Sequence, residues 1–214
     1  MNNLSKRLKA ITNFVSKDDS LVDVGCDHGL LSIYLMENNL VNKVIASDIN
    51  SNALASAIKN IEKFHLEIPT VLSDGLNNIN LTDINTLVIS GMGTSTIKHI
   101  LSDSNKLVKI KKIITQSNND HEMLRQFMND IGYYLDNELY VYDKGKWYVT
   151  GCFIKSNKKN SEDIIKYGLL NNKEYNSYLV ESKETILEKI PLTSKEAREK
   201  VIKEIDELKR AVCK

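Results

Sequence analysis

The chain has 214 residues, of which 42% are apolar and 27% are charged, and its formal net charge is +1. This balance is typical of a soluble globular protein, and no apolar run reaches the roughly 20 residues that a membrane-spanning helix needs. A partner such as RNA would have to be held by a local basic patch, because the field of the whole molecule is weak. The three cysteines form no CxxC pair, which fits a reducing cytoplasm, where we expect the protein to act.

Strands and helices alternate along most of the chain. An amphipathic helix comes first, with Leu4, Leu8, Ile11 and Val15 on one face. Helical patterns also begin at Leu30, run over 51–64 and 94–101, and end at Gly132. Five apolar runs between these helices predict strands: "LVDV" from Leu21, "NKVIASDIN" to Asp48, "PTVLSDGL" to Asp74, "INTLVISGMG" to Gly93 and "VKIKKIITQ" to Gln116. Continuous apolar strands that alternate with helices indicate a parallel sheet covered on both faces.

The end of this core departs from the alternation. "YYLDNELYVY" and "KWYVTGCFIK" flank Asp143–Gly145 and leave no room for a helix, so they predict a hairpin. We therefore expect an α/β fold with a Rossmann-like sheet, whose parallel strands end in an antiparallel hairpin, within a first domain of residues 1–158. Residues 159–214 read as a second domain, an antiparallel helical hairpin. Its first helix is expected over about 162–190 and its second from Thr193, on either side of Pro191.

The loop after the first strand reads Asp23-Val24-Gly25-Cys26-Asp27-His28-Gly29. A helix that follows such a loop presents unpaired N–H groups, and glycine lets a ligand approach the backbone closely. The loop lacks the full GxGxxG fingerprint of dinucleotide sites, and its two aspartates would repel a pyrophosphate. A ligand with a cationic group and hydroxyls suits it better, although an ordinary strand-to-helix turn remains open on this pattern alone.

Three further strand ends carry polar or flexible residues. Asp48 follows Gly25 by 23 positions, near the offset of about 20 at which a carboxylate accepts from ribose hydroxyls. Asp74-Gly75 could accept from an adenine amino group, and Gly91–Gly93 closes the fourth strand. A doubly wound sheet binds its ligands at these carboxyl ends. Together the four features favour S-adenosylmethionine, which carries an adenosine and a cationic sulfonium but no phosphate.

These motifs resemble the class I S-adenosylmethionine-dependent methyltransferases, and more narrowly the bacterial tRNA (adenine(22)-N1)-methyltransferase family of the TrmK type. The resemblance covers most of residues 4–154 and the helical extension. It rests on "LSKRLKAI", "DVGCDHGLL", "ASDIN", "SDGL", "SGMGTSTI", "ITQSN" and "KWYVTGCF". One departure is that Gln116 is followed by Ser117, where the family often has proline.

The resemblance implies methyl transfer to N1 of an adenine in tRNA, and it assigns expected roles to particular residues. Asp27 is the candidate catalytic residue, as electrostatic stabiliser or proton acceptor, although it could equally serve only to position the loop. Arg7, Lys6 and Asn118 are the candidate tRNA contacts. The expected cofactor-binding residues are Asp23, Gly25, Asp27, His28, Gly29, Asp48, Ile49, Asp74, Gly75, Gly91, Met92 and Gly93.

Missing motifs narrow the chemistry. The only prolines are Pro69 and Pro191, so the (N/D)PP(Y/F) loop of enzymes that methylate exocyclic amino groups is not present. None of the three cysteines stands where cytosine C5 enzymes place their nucleophile. We expect no metal site, no membrane contact and a monomer. Two alternatives remain: a methyltransferase that acts on a small molecule or protein, and a catalytically inactive RNA-binding module.

Overall fold

The computed structural model describes residues 4–213, and contacts divide the chain into two compact units with a boundary between Asn160 and Ser161. The first unit contains a seven-stranded sheet and five α-helices, and in the second the residues described form helices and short connections. No helix of the described part is long and apolar enough to cross a membrane.

One sheet of seven strands forms the centre of the first unit. In chain order the strands are β1 (Ser20–Val24), β2 (Lys43–Asp48), β3 (Thr70–Leu72), β4 (Thr86–Met92), β5 (Lys112–Ser117), β6 (Tyr133–Asp143) and β7 (Lys146–Lys155). Their order across the sheet is β3-β2-β1-β4-β5-β7-β6. Strands β1 to β5 pair in parallel, whereas β7 is antiparallel to both β5 and β6. The predicted Rossmann-like sheet with a terminal antiparallel hairpin is confirmed, although the third strand ends at Leu72 rather than at Asp74.

Burial along the strands shows that both faces of the sheet are covered. All five residues of β1 are buried, and so are the last five of β2 and of β5. Successive side chains of a strand point to opposite faces, so an unbroken buried run requires cover on each side. At the far edge, Lys144 and Gly145 connect β6 to β7 with φ angles of 47° and 85°. Two successive positive φ angles are the geometry of a tight hairpin turn.

Of the five helices of the first unit, the first precedes β1 and the other four connect successive strands. They are α1 (Lys6–Ile11), α2 (Leu30–Glu37), α3 (Ser51–Lys63), α4 (Thr94–Ile100) and α5 (His121–Asp130). The side chain of Asn50 caps α3 by accepting from the N–H groups of Asn52 and Ala53. Such a cap satisfies N–H groups that a helix leaves unpaired at its start. It fixes the beginning of α3 at Ser51, three residues after Asp48.

The second unit contains three helices, α6 (Glu162–Tyr167), α7 (Lys173–Lys189) and α8 (Lys195–Val212). The prediction of one continuous helix over 162–190 was wrong. Gly168 and Leu170 have φ angles of 81° and 50°, and a right-handed helix cannot continue through such residues. The last helix begins at Lys195 rather than at Thr193.

Helices α7 and α8 form the predicted antiparallel hairpin. Lys183 pairs with Glu204, Lys209 Nζ lies 2.7 Å from Glu184 Oε1, and Arg198 donates to the carbonyl oxygen of Leu187 at 2.9 Å. Early residues of one helix thus meet late residues of the other. The helical C-terminal hairpin is therefore confirmed.

Candidate active site

A cavity of about 420 Å³ opens at the carboxyl ends of the parallel strands. It lies where the strand order reverses, with β1 and β2 on one side and β4 on the other, which is where doubly wound sheets bind ligands. Eleven of the residues predicted from the sequence line it. They are Arg7, Asp23, Gly25, Asp27, His28, Asp48, Ile49, Asp74, Gly75, Gly91 and Met92. The structure thus brings the ends of four separate strands to one site.

The loop after β1 is attached to the neighbouring strand. The N–H groups of Gly25 and Cys26 both donate to the carbonyl oxygen of Ser47, at 2.8 and 2.9 Å. Gly25 has a φ of 75°, and a Cβ at this position would lie 2.1 Å from Met92 Cε. A side chain here would therefore displace the end of the Met92 side chain and strain the backbone. Burial raises the pKa of the Cys26 thiol well above its usual range, which makes that thiol unreactive.

Asp48 ends β2 with a carboxylate that is fixed by two backbone groups. Its Oδ2 accepts the N–H of Asp27 at 2.9 Å, and its Oδ1 accepts the N–H of Asn50 at 2.8 Å. Each carboxylate oxygen has a second lone pair, so it can accept one more hydrogen bond. Asp48 therefore offers a fixed pair of acceptors at the cavity wall, which suits a vicinal diol.

Asp23 is the most deeply buried acid of the cavity, with 2% of its surface exposed. Its Oδ2 accepts from the hydroxyl of Ser32 at 2.7 Å. The pKa of the Asp23 carboxyl is raised to about 6, mainly because burial removes solvent and to a smaller extent because of the nearby Asp48 charge, whereas the hydrogen bonds from Ser32 oppose the change. A cationic ligand group near Asp23 would favour its ionised form.

Asp27 and His28 lie at the open side of the loop. The Asp27 side chain is 72% exposed, and its Oδ1 lies 3.6 Å from His28 Nε2. Asp27 has a φ of 51°, a left-handed conformation that aspartate tolerates better than most residues. Its backbone bond to Asp48 holds this conformation, so the Asp27 carboxylate is kept at the entrance of the cavity.

The end of β4 contains an irregularity that borders the cavity. The pairing of β4 with β5 shifts between Ser90 and Met92, and Gly91 has a φ of 76°. Asn118 spans this bulge, because its Nδ2 donates to the Gly91 carbonyl oxygen at 2.8 Å and its backbone N–H donates to that of Met92 at 2.9 Å. Asn118 therefore supports the bulge and does not line the cavity.

Three other predicted site residues also lie outside the cavity lining. Gly29 is the residue before α2, where a Cβ would lie 3.1 Å from Ala57 Cβ. Gly93 is the residue before α4, where a Cβ would lie 3.3 Å from Asn119 Oδ1. Both glycines permit close packing of a helix start. Lys6 is exposed on α1.

Helix α4 supplies lining residues that sequence reasoning missed. Thr96, His99 and Ile100 lie on one side of this helix and border the cavity, and Ile100 Cγ1 would lie 3.2 Å from a Cβ at Gly75. Their spacing of three and four residues, directly after the "GMG" of β4, was the signal available in the sequence. No group of three or more histidine, cysteine or acidic side chains in residues 4–213 is placed to hold a metal ion.

Fold and cavity together define a class I methyltransferase architecture, and comparison with known proteins agrees. A family model described as a methyltransferase domain matches residues 4–150. The tRNA (adenine(22)-N(1))-methyltransferase of Bacillus subtilis strain 168 is 30% identical over 148 residues, which cover 68% of this chain and 62% of that enzyme. The match thus spans less than two thirds of the length of this curated relative.

Two solved structures resemble the chain over almost its whole length. The TrmK of M. capricolum, in complex with S-adenosylhomocysteine, is 30% identical with a TM-score of 0.84, and the match covers 98% of this chain and 97% of that one. A Streptococcus pneumoniae protein in complex with S-adenosyl-L-methionine is also 30% identical with a TM-score of 0.84, over 98% and 99% of the two chains. The chain belongs to the TrmK-type family of methyltransferases.

Proposed function

We propose that this protein transfers the methyl group of S-adenosylmethionine to N1 of adenine 22 in tRNA. The observation that carries the proposal is the meeting of Asp23, Asp27, Asp48 and Asp74 in one cavity beside Gly91. Membership of the TrmK-type family supports the choice of adenine and tRNA. We further propose that the reaction takes place in the cytoplasm, where tRNA is available.

The residues of the cavity fit the cofactor. Asp48 would accept from both ribose hydroxyls, because both of its oxygens are already oriented by backbone donors. Asp74 makes no side-chain hydrogen bond within the described residues and would accept from the adenine amino group. Ile49 is 67% exposed beside Asp48 and would pack on the adenine ring. A volume of about 420 Å³ is in the range of small-molecule sites.

The cofactor supplies an electrophilic methyl group, and the chain has to orient the base that receives it. Adenine N1 already carries an in-plane lone pair, so no nucleophilic side chain is required. Alignment of the reacting atoms and exclusion of water can account for about 7–11 kcal/mol of the barrier. The base becomes cationic as the methyl group transfers. Asp27 would stabilise that charge or accept the amino proton, since its carboxylate is accessible at the entrance of the cavity.

The target adenine would have to leave its stack to reach the cavity. We propose that the first unit makes the main RNA contacts around Arg7. Residues 161–214 contain eleven basic and eleven acidic residues, so the second unit has no net charge. Three of its lysines, Lys166, Lys183 and Lys209, are paired with glutamates.

The experiment that tests the proposal incubates the protein with S-adenosylmethionine and an unmodified tRNA transcript, followed by nucleoside mass spectrometry. We expect 1-methyladenosine, and none when guanine replaces adenine 22 in the matched transcript. Cofactor binding without 1-methyladenosine would contradict the proposal and favour a methyltransferase with a small-molecule or protein substrate. Binding of tRNA without any binding of the cofactor would instead favour an inactive RNA-binding module.

A further inference from the structure

Arg7 places a cation at the lining of an acidic cavity. Four carboxylates line this cavity, and Arg7 is the one lysine or arginine that joins them among the described residues. Its guanidinium lies beside the bulge of β4, where Nη1 would be 3.9 Å from a Cβ at Gly91. The Tyr148 ring lies on another side, with its centroid 5.7 Å from Arg7 Cζ. The charge is therefore held close to the cavity and not extended into solvent.

A single buried amide fixes Arg7 at two points. Gln116, on β5, is 1% exposed, and its Nε2 donates to the Arg7 carbonyl oxygen at 2.9 Å. Its Oε1 accepts from Arg7 Nη1 at 3.2 Å. The same Nε2 donates to Thr150 Oγ1 at 2.7 Å, which fixes the orientation of the amide itself. Gln116 thus connects α1 to the sheet and holds both the backbone and the guanidinium of Arg7.

The partner of this guanidinium is neutral, which distinguishes it from the other arginine of the first unit. Arg125 is buried and pairs with the carboxylate of Glu138 at 2.9 Å. No carboxylate of residues 4–213 lies within ion-pair distance of the Arg7 guanidinium. A guanidinium carries five N–H donors, and Gln116 receives one of them. Charge and donors therefore remain for an anionic ligand.

We propose that Gln116 is a positioning residue that holds the Arg7 guanidinium for a backbone phosphate next to the target adenine. The inference rests on the proposed tRNA function. An extruded nucleotide brings its own phosphates to the entrance of the pocket, and the planar guanidinium matches two phosphate oxygens at once. The carboxylate of S-adenosylmethionine is the other anion that could bind Arg7. The experiment below distinguishes the RNA phosphate from this carboxylate.

The test is a double-mutant cycle with Arg7→Met, Gln116→Met and the double variant, read out by equilibrium binding of tRNA and, separately, of S-adenosylmethionine. We expect Arg7→Met to weaken tRNA binding by about tenfold. The fall of log K with log salt should become less steep, with a slope smaller in magnitude by about one. Gln116→Met should weaken tRNA binding several-fold, and in the Arg7→Met background it should have no further effect. Cofactor affinity should change less than about twofold, as expected for a contact made only with phosphate.

Two controls keep the result interpretable. Lys17→Met removes an exposed cation before β1 and should leave the affinity for tRNA unchanged. Gln116→Glu retains an acceptor for Arg7 Nη1 but neutralises the Arg7 charge and loses the donor to the Arg7 carbonyl oxygen, so it should weaken tRNA binding at least as much as Arg7→Met and give the same change in salt slope.

Several outcomes would overturn the inference. One is that Gln116→Met lowers the affinity for tRNA equally in the wild-type and Arg7→Met proteins, which would mean that Gln116 has a purely structural role. Another is loss of cofactor affinity with tRNA affinity intact, which would assign Arg7 to the cofactor carboxylate. A failure of the proposed reaction itself would have a different result. The wild-type protein would then bind both tRNA and S-adenosylmethionine but form no 1-methyladenosine.

Discussion

The backbone N–H of Asp27 donates to Asp48 Oδ2 at 2.9 Å and thereby joins the candidate catalytic loop to the candidate ribose site. One carboxylate thus serves the loop after β1 and the end of β2 together. Replacement of Asp48 should affect both, because the loop loses its support and the ligand loses its acceptors.

We expect Asp48→Ala to weaken S-adenosylmethionine binding by about tenfold to a hundredfold, since two hydrogen bonds to a charged acceptor are lost. Isothermal titration calorimetry measures this directly. Asp83→Ala, an exposed aspartate before β4, is the matched control and should bind like the wild type. Equal affinities for the two variants would remove Asp48 from the cofactor site.

Asp27→Asn keeps the shape of the side chain and removes its charge. We expect the single-turnover rate to fall by about tenfold to a thousandfold if the carboxylate stabilises the cationic base, with little change in cofactor affinity. Rapid-quench measurement of 1-methyladenosine formation tests this. A wild-type rate would show that Asp27 acts through its backbone bond to Asp48 alone.

Stability should depend on pH through Asp23. Its pKa is raised to about 6 in the folded protein, so the folded state binds more protons than the unfolded state between pH 4 and 6. Stability from this residue is therefore present at low pH and lost as the pH rises through about 6. Asp23→Asn should raise the free energy of unfolding at pH 8 by on the order of 3 kcal/mol and change it little at pH 4.

Urea denaturation at the two pH values measures the effect of Asp23. The same variant should lose cofactor affinity if the ionised carboxylate pairs with a cationic group of the ligand. Equal stabilisation at both pH values would contradict this account of Asp23.

A side chain at Gly25 should weaken cofactor binding. Gly25→Ala places a Cβ 2.1 Å from Met92 Cε at a φ of 75°, so the end of the Met92 side chain has to move within the cavity lining and the backbone is strained. Met92→Ala in the same chain removes the collision but not the backbone strain, which costs about 1 kcal/mol. Partial recovery of binding in the double variant is expected, and full recovery would show that the positive φ is unimportant.

The buried pair of Arg125 and Glu138 should be important for stability. Glu138→Ala leaves the Arg125 charge buried without its carboxylate, which we expect to cost about 3–5 kcal/mol in the free energy of unfolding. Arg125→Met combined with Glu138→Leu should cost less, because neither charge remains. Chemical denaturation of the three proteins tests this, and a double variant as unstable as Glu138→Ala would argue against the charge effect.

Much of the sheet could be predicted because the residues that indicate each strand are neighbours in the sequence. Apolar runs such as "TLVIS" alternate with helical patterns, and aspartate or glycine stands at the end of each of the first four runs, so the parallel sheet and its ligand-binding edge could be inferred together. Gly168 was also a local signal that a helix ends. Because apolar residues keep a helical spacing on both sides of it, one continuous helix was predicted instead.

The remaining features depend on contacts between distant residues. Gln116 meets Arg7 across 109 positions, and nothing around either residue indicates the other. Likewise, Asn118 was expected to contact RNA, and only the bulge at Gly91 reveals what its amide supports. The lining contributed by α4 depends on the orientation of a helix, which periodicity alone does not determine.

The four carboxylates around the cavity also bear on the order in which products depart. In the proposed reaction, methyl transfer removes the positive charge of the sulfonium and places one on the adenine. The spent cofactor thereby loses its attraction to Asp23, Asp27, Asp48 and Asp74, whereas the modified nucleotide gains one. S-adenosylhomocysteine should therefore leave first, and the departure of the RNA should set the turnover rate until N1-methyladenine gives up its proton.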